Sequence, residues 1–172
     1  MRRILIVGPG GAGKSTLAQR MAARLSLPLI HLDAEYWRPG WRAPSREAWA
    51  AQVEALSRGP AWIMDGNFGG TFPQRLAACD TVLLLDLPPW RCLWRVLRRR
   101  LRHRGETRPG MAPDCPERLD IAFLYWIATW RVQRRPAMRL RLHEAAARGV
   151  DVRVLQSPRA VEAFLASLPP AR

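Results

Sequence analysis

The sequence contains almost no lysine, and this scarcity draws attention to the one lysine that it has. Of the 28 basic residues only Lys14 is a lysine, and the other 27 are arginines. Arginine therefore serves wherever a generic positive charge is needed, and one position keeps a compact ammonium group instead of a planar guanidinium. Mutational bias is the alternative explanation. Lys14 is the first candidate functional residue.

Cysteine is also scarce, and its spacing argues against two classes of small domain. The three cysteines are Cys79, Cys92 and Cys115, with no C-x-x-C pair and no cluster with histidine. An odd and dispersed set is unlike a disulfide framework or a zinc site. Reduced thiols of this kind predict a cytoplasmic protein.

Long apolar runs are absent as well. The run that follows Arg2 and Arg3 ends at Val7, which is too short for the apolar core of a signal peptide. No stretch approaches the length that spans a bilayer, so we expect no membrane partner. The formal net charge of +14 predicts an anionic partner, which charge alone leaves open between nucleic acid, a membrane surface and small phosphorylated molecules.

Short apolar runs alternate with longer amphipathic stretches, which is typical of a parallel sheet covered by helices on both faces. The predicted strands are residues 4–7, 27–32, 61–64, 81–87 and 150–155. The predicted helices are residues 15–25, 45–58, 89–102 and 137–148, a helix with apolar positions from Leu119 to Trp130, and a last helix after the cap Ser157. The length of 172 residues fits one domain over 1–172.

Two features interrupt this rhythm. Residues 103–118 hold two glycines and three prolines, too many for regular structure and suitable for a mobile loop. Pro136 follows a helical run, so we expect it to divide two helices.

The segment GPGGAGKST matches the phosphate-binding pattern G-x-x-x-x-G-K-[ST] at Gly8, Gly13, Lys14 and Ser15. A predicted strand precedes it and a predicted helix follows, as this motif requires. Its backbone N–H groups would cradle the phosphates of ATP, Lys14 would reach the β- and γ-phosphates, and the Ser15 hydroxyl would bind Mg²⁺. The expected nucleotide contacts are Gly8, Gly10, Gly11, Ala12, Gly13, Lys14, Ser15 and Thr16.

Three aspartates lie near the carboxyl ends of predicted strands, where ligands bind in such sheets. Asp65 in WIMDGN has the form of a Walker-B acid that holds Mg²⁺ through water, although it could be a turn residue before Gly66. Asp33, expected to close the second strand, could orient an acceptor hydroxyl or take its proton, and its alternative is a helix cap. Asp86 precedes LPPW and is expected to cap or pack.

Several segments together resemble the small P-loop proteins described as DNA topology modulation proteins, which are similar to adenylate and shikimate kinases. They are GPGGAGKST, IHLDAEYWRPGW, WIMDGNF, LLLDLPPWRCLWRVLRRR and RGETRPGMAPDCPE. The resemblance implies a three-layer P-loop fold with strand order 2-3-1-4-5, an acceptor-binding helical segment at about 34–59 and a lid at about 99–118. It also implies that the protein uses ATP and Mg²⁺.

Arginines flank the glycine and proline breaks of the expected lid. Arg100, Arg104 and Arg108, with neighbouring Arg99, could swing onto the transferring phosphoryl group while water is expelled. The alternative is a solvated arginine face. The resemblance to kinases further implies that Arg131, Arg134 and Arg135 meet the phosphates from another helix, and that the base stacks near Arg159.

The acceptor pocket is expected around Tyr36, Trp37, Trp41 and Arg75, because aromatic walls with a few polar anchors suit a flat molecule. Each tryptophan could instead belong to the core. Where adenylate kinases read DGFPR, this chain reads DGNFGGTFPQR. That departure argues against AMP as the acceptor and against Arg75 as its clamp.

Two other classes of function compete with a kinase. Arg91, Arg95, Arg98, Arg102, Arg131, Arg135 and Arg139 could neutralise a DNA backbone, with weak and non-specific binding expected at low salt. A regulatory ATPase would respond to a partner protein rather than to an acceptor, and the absence of an NKxD motif favours ATP over GTP. The sequence favours phosphoryl transfer from ATP to a small-molecule or nucleotide acceptor, and it leaves the oligomeric state open.

The change Lys14→Ala tests the phosphate-binding loop. We expect it to abolish ATP binding or turnover, because no other group supplies a compact charge to the β- and γ-phosphates. Binding of a fluorescent ATP analogue measures the loss, and far-UV circular dichroism checks that the fold is kept. Unchanged affinity and turnover in the variant would refute the assignment.

Overall fold

A parallel sheet of five strands lies at the centre of the computed structural model, which describes residues 1–102, 107, 110–116 and 120–169. The strands are β1 (Arg3–Val7), β2 (Leu29–His31), β3 (Trp62–Asp65), β4 (Thr81–Leu85) and β5 (Asp151–Leu155). Their order is β2-β3-β1-β4-β5, and every neighbouring pair is parallel. The predicted order 2-3-1-4-5 is confirmed, and the strand boundaries differ from the predicted ones by no more than two residues.

Eight α-helices connect and cover the strands in the described part of the chain. They are α1 (Lys14–Leu25), α2 (Leu32–Tyr36), α3 (Arg46–Ser57), α4 (Phe72–Ala78), α5 (Pro89–Arg102), α6 (Ile121–Gln133), α7 (Arg135–Ala147) and α8 (Pro158–Ser167). None of the helices in these ranges combines the length and the apolar composition that crossing a bilayer requires.

Apolar side chains on both faces of the sheet produce two cores. Ile4 and Ile6 of β1 pack into a cluster with residues of α1, α5, α6 and α8. Leu5 and Val7 of the same strand pack into a second cluster with residues of α3, α4 and α7. Because successive strand residues point to opposite faces, a continuous apolar run is what a doubly covered sheet requires. The predicted three-layer α/β fold of P-loop kinases is therefore confirmed.

The structure corrects three local predictions. Strand β2 ends at His31, opposite the last residue of β3, so Asp33 lies in the first turn of α2 and does not close a strand. Helix α4, preceded by a 3-10 turn at Gly69–Thr71, was not predicted because the glycines there hid its start. The break between α6 and α7 falls at Arg134, and Pro136 lies in the first turn of α7. An N–H group in the first turn has no partner within the helix, so the missing N–H of proline costs no helical hydrogen bond there.

A buried ion pair attaches α7 to the end of β4. Asp86 directly follows β4 and is fully buried, and its Oδ2 accepts a hydrogen bond of 2.8 Å from Arg135 Nε. Arg131 Nε of α6 lies 4.0 Å from Asp86 Oδ1. Asp86 therefore packs, as predicted. In this structure Arg135 bonds to Asp86, and the expected contacts of Arg131 and Arg135 with phosphates or DNA stay predictions.

Removing one member of this pair should destabilise the fold. Asp86→Ala would leave Arg135 without its counter-charge, and we expect a loss of about 3 kcal/mol in the free energy of unfolding. Asp151→Ala is the matched control, because it breaks the exposed 2.8 Å pair with Arg153 and should cost less than about 1 kcal/mol. Urea unfolding measures both free energies. Equal losses would show that the buried pair contributes no more to stability than the exposed pair does.

Candidate nucleotide-binding site

The loop that joins β1 to α1 depends on glycines at positions where no side chain fits. Gly8 has φ 142°, and a Cβ atom there would lie 2.4 Å from the carbonyl oxygen of Leu85. Gly11 has φ 77°, and a Cβ atom there would lie 2.3 Å from the carbonyl oxygen of Cys92. The loop thus adopts left-handed backbone conformations in close contact with the end of β4 and with α5.

Helix α1 begins directly at this loop with an end suited to an anion. Its N-cap is Gly13, no side chain caps the helix, and its first turn contains no acidic residue. The first amides of a helix lack partners within it, and the helix dipole adds positive potential there. An uncapped N-terminus behind a glycine loop is the arrangement that binds phosphate groups.

The ammonium group of Lys14 lies across the glycine loop. Its Nζ atom donates hydrogen bonds of 3.0 Å to the carbonyl oxygen of Gly8 and 3.0 Å to that of Pro9. These contacts hold the charge beside the amides of the same loop. Lys14 is thus placed where a phosphate bound by those amides would meet it.

A chain of hydrogen bonds joins β2, β3 and α1 through one buried carboxylate. Ser15 Oγ donates to Asp65 Oδ2 at 2.6 Å, and His31 Nδ1 lies 2.5 Å from Asp65 Oδ1. His31 and Asp65 are register partners in adjacent parallel strands, so their side chains project from the same face of the sheet. A carboxylate only accepts hydrogen bonds, so His31 Nδ1 carries the proton in this pair.

Asn67 fixes the glycine loop to the end of β3. Its Oδ1 accepts from the Gly8 N–H at 3.1 Å, and its Nδ2 donates to the Gly8 carbonyl at 2.7 Å. Neither Asn67 nor His31 was predicted as a site residue from the sequence. The available signals were a polar side chain directly after Asp65-Gly66 and a histidine at the end of an otherwise apolar strand.

The side chains of Lys14, Ser15, Asp65 and Asn67 border a cleft of about 580 Å³ at the carboxyl edge of the sheet. The predicted residues that line it share the glycine loop or the ends of β2 and β3: Gly10, Gly11, Ala12, Gly13, Lys14, Ser15, Thr16, Asp33 and Asp65. Gly8 is not among the lining residues, and its backbone bonds to Asn67. The structure thus brings most of the predicted nucleotide and magnesium residues together at one place.

Two arginines of α5 also line the cleft. Arg95 Nη1 donates to the Ala12 carbonyl at 3.1 Å, and Arg99 lies one helical turn further on. Arg95 is one of the arginines named as possible DNA contacts, and in the structure its guanidinium contacts the glycine loop. Arg100 is half-buried and is not among the residues that line the cleft. Arg104 and Arg108 lie outside the described residues.

Arg75 does not reach the cleft. It is fully buried, and its guanidinium donates hydrogen bonds to the carbonyl oxygens of Gly66, Asn67 and Phe68. Burial lowers the pKa of Arg75 to about 10, which still leaves it protonated at neutral pH. The expectation that Arg75 contacts an acceptor is therefore corrected: its charge holds the turn that follows β3.

The expected acceptor aromatics form a cluster beside the cleft. Tyr36 packs against Trp37, Trp49 and Phe68 with ring centroids 4.8–5.0 Å apart. Phe68 lines the cleft, whereas Tyr36 and Trp37 lie behind it, each half-buried. Tyr36 thus contacts the cleft wall at Phe68, and Trp37 contacts Tyr36.

Arg159 is exposed in the first turn of α8 and is not part of the cleft wall. Its neighbours Pro158, Val161 and Glu162 do line the cleft. Glu162 receives two hydrogen bonds, of 2.5 Å and 2.7 Å, from Arg20 of α1. This end of the cleft therefore offers apolar surface bordered by an exposed ion pair.

The donors at Ser15 and Asp65 fit magnesium. A hydroxyl and a carboxylate supply the oxygen ligands that Mg²⁺ prefers, and Mg²⁺ commonly takes only one or two protein ligands beside phosphate and water. The described residues hold no group of three or more histidine, cysteine or acidic side chains that could form a metal cage. A site shared with a bound phosphate is what these residues can provide.

Comparison with known proteins finds kinases over limited segments. No protein-family model matches the chain. A bifunctional pantoate ligase/cytidylate kinase of Gloeobacter violaceus is 37% identical over 76 residues, which is 42% of this chain and 15% of that protein. A shikimate kinase of Bradyrhizobium diazoefficiens is 56% identical over 34 residues, which is 20% of this chain and 16% of that protein. The chain thus matches about one sixth of each relative's length.

The solved structures include one with the same fold over nearly the whole chain. It is the crystal structure of a provisionally assigned kinase of Chloroflexus aurantiacus, with a TM-score of 0.51 and 16% identity over 96% of each chain. At this identity the likeness concerns the fold alone. The relation to kinases in sequence rests on the two matched segments.

The contact between His31 and Asp65 gives a testable prediction. His31→Phe removes the group that orients the Asp65 carboxylate, and we expect about a tenfold weaker affinity for ATP in the presence of Mg²⁺. Affinity for ATP without metal should not change, since His31 is not a residue of the cleft wall. His31→Asn, whose amide can donate to Asp65, should recover part of the loss.

Calorimetric titration with and without Mg²⁺ separates these effects. If His31→Phe weakened both affinities equally, His31 would be a structural residue and the positioning role would be wrong.

Proposed function

We propose that this protein transfers the γ-phosphoryl group of ATP to a small-molecule or nucleotide acceptor. The observation that carries the proposal is the 2.6 Å hydrogen bond between Ser15 and Asp65. It lies beside the uncapped N-terminus of α1 and beside the glycine loop whose carbonyl oxygens bind Lys14. A phosphate cradle and two adjacent oxygen donors for Mg²⁺ are the parts that phosphoryl transfer needs.

The triphosphate would bind to the amides at residues 10–16. Lys14 would exchange its contacts with the carbonyl oxygens of Gly8 and Pro9 for the β- and γ-phosphates. Ser15 and Asp65 would hold Mg²⁺, which neutralises charge that develops on the transferring phosphoryl group. His31 would keep the Asp65 carboxylate oriented, and Asn67 would keep the glycine loop in place.

Arginines would stabilise the transferring group. Arg95 and Arg99 line the cleft one helical turn apart, so their guanidinium groups can approach phosphate oxygens from the side of α5. Arg100, Arg104 and Arg108 remain proposed members of a lid at about 99–118. Closure of that lid would bring further positive charge and expel water.

Asp33 would position the acceptor. It lines the same cleft as the glycine loop from the first turn of α2, where a carboxylate can orient a hydroxyl and accept its proton. We propose residues 34–59 as the acceptor side, with Phe68 on the cleft wall and Tyr36 and Trp37 supporting it. Burial of Arg75 disfavours AMP, because the expected arginine clamp is absent from the wall.

The base of ATP would occupy the other end of the cleft. Pro158 and Val161 supply apolar surface there, and Arg159 is close enough in sequence to cover the base from the exposed side.

The names of the two relatives, a shikimate kinase and a bifunctional pantoate ligase/cytidylate kinase, support both a small molecule and a nucleotide as acceptor class. We further propose that residues 1–172 act as one unit, that the protein is cytoplasmic, and that it belongs with the DNA topology modulation proteins.

Two other functions remain less supported. A regulatory ATPase would use the same phosphate site but would have no need for Asp33 opposite it. The hypothesis that the protein binds DNA through the seven arginines named from the sequence has less support. Two of them have other contacts, since Arg95 contacts the glycine loop and Arg135 pairs with Asp86. Any DNA binding is therefore proposed to be non-specific.

The kinase proposal predicts that ADP release depends on an acceptor. Incubation with Mg-ATP and a panel of nucleosides, nucleoside monophosphates and hydroxylated metabolites should release ADP with particular acceptors only. With an active acceptor, Asp33→Asn should lower kcat by about 10²-fold or more, because proton acceptance is lost, while ATP affinity stays unchanged. Glu35→Gln is the matched control on the same helix, since Glu35 contacts Gln52 instead of lining the cleft.

Equal ADP release without any acceptor would favour an ATPase. Equal effects of Asp33→Asn and Glu35→Gln on kcat would contradict the role of Asp33.

A further inference from the structure

Helix α5 carries an apolar stripe that no part of the described chain covers. Trp90, Trp94, Leu97 and Leu101 are 65%, 56%, 44% and 78% exposed. At about 100° per residue these four positions fall within an arc of about 60°. Cys92 and Val96, on the opposite side of the same helix, are buried in the core. We call the four exposed residues the α5 stripe.

The α5 stripe lies against a row of arginines. Helix α5 contains six arginines and no acidic residue. The guanidinium of Arg91 lies 4.9 Å from the ring centroid of Trp90, and that of Arg98 lies 5.2 Å from the ring centroid of Trp94. The charged groups therefore border the apolar side chains directly, and the surface is both apolar and strongly positive.

This charge selects the chemistry of the partner. A second copy of the chain would bring the same arginines against this row, and like charges placed opposite each other are destabilising. A nucleic acid would supply negative charge and bases that stack on tryptophan, but it offers no hydrocarbon for Leu97 and Leu101. An anionic lipid surface offers phosphate groups for the arginines, an interface that tryptophan favours and hydrocarbon for leucine.

We propose that the α5 stripe is a peripheral docking surface for a membrane that contains anionic lipids. Helix α5 would lie in the plane of the interface, with its tryptophans and leucines inserted and Arg91, Arg98 and Arg102 on the lipid phosphates. Membrane attachment of this kind does not require a spanning segment. The expectation that there is no membrane partner, which rested on the lack of such a segment, would then hold only for spanning.

The orientation of α5 leaves the cleft accessible in this arrangement. Arg95 and Arg99, which line the cleft, project from α5 more than about 120° away from the centre of the α5 stripe. Docking would therefore occupy one side of the helix while the cleft stays open on another. The proposal does not depend on the reaction that occurs in the cleft.

Sedimentation with lipid vesicles tests the proposal. Vesicles of phosphatidylcholine with one quarter phosphatidylglycerol should pellet the protein at about 0.15 M salt, whereas pure phosphatidylcholine should not. The variant Trp94→Ala/Leu97→Ala should bind the anionic vesicles at least about tenfold more weakly, since inserted apolar area is removed. Leu140→Ala, at a 61% exposed residue of α7, is the control and should bind as the unaltered protein does.

Brominated phosphatidylcholine in the same vesicles reports insertion directly. It should quench tryptophan fluorescence of the unaltered protein, and Trp90→Phe/Trp94→Phe should lose most of that quenching while still binding. Thermal unfolding checks the fold of each variant, whose altered side chains are exposed.

Three results would overturn the proposal. The first is vesicle binding by charge attraction alone. It would appear as binding that disappears at about 0.15 M salt, or as equal vesicle affinities of the stripe variant and the control variant. The second is tight binding of a single-stranded oligonucleotide that requires the tryptophans, together with no binding to vesicles. The third is a dimer in analytical ultracentrifugation that the stripe variant converts to monomers.

Discussion

The Asp65 carboxylate accepts contacts from two directions, and the geometry of the candidate site depends on it. Ser15 approaches from the first turn of α1 and His31 from the end of β2. A buried carboxylate requires partners for both oxygens, so these contacts fix the distance between the helix that begins at the glycine loop and the edge of the sheet. The same oxygens can turn towards a metal ion without a change in the fold. In the proposed function, the stability of the fold and the binding of Mg²⁺ would both depend on this one carboxylate.

Tight packing around the glycine loop adds a second constraint. The loop touches the carbonyl of Leu85 at one point and that of Cys92 at another, and Asn67 holds it from the side of β3. A Cβ atom fits at neither Gly8 nor Gly11, and Asn67 bonds to both backbone groups of Gly8, so these contacts restrict the loop before any ligand arrives. Such preorganisation places the cost of ordering the loop in folding rather than in binding. Lys14 adds a compact positive charge to this loop through its contacts with Gly8 and Pro9.

The sheet and the glycine loop could be predicted from the sequence because both leave local patterns. Apolar runs gave the strands within two residues, and the spacing of Gly8, Gly13 and Lys14 gave the loop. The positions that failed depend on contacts between distant residues. Arg75 and Arg135 look like ligands in a row of arginines, yet one holds three carbonyl groups and the other a buried aspartate. The contact of Arg95 with the glycine loop was not predicted, because periodicity does not show which side of α5 meets the loop.

The central claim is that a magnesium-bound triphosphate occupies the glycine loop between Lys14 and Asp65. The most direct measurement follows backbone amide resonances by NMR while Mg-ATP is added to isotope-labelled protein. The account predicts saturable shifts that are largest at Gly11, Gly13, Lys14 and Ser15, the amides that would surround the phosphates. It would be contradicted if these resonances did not move, or if the largest shifts came from a surface outside the cleft.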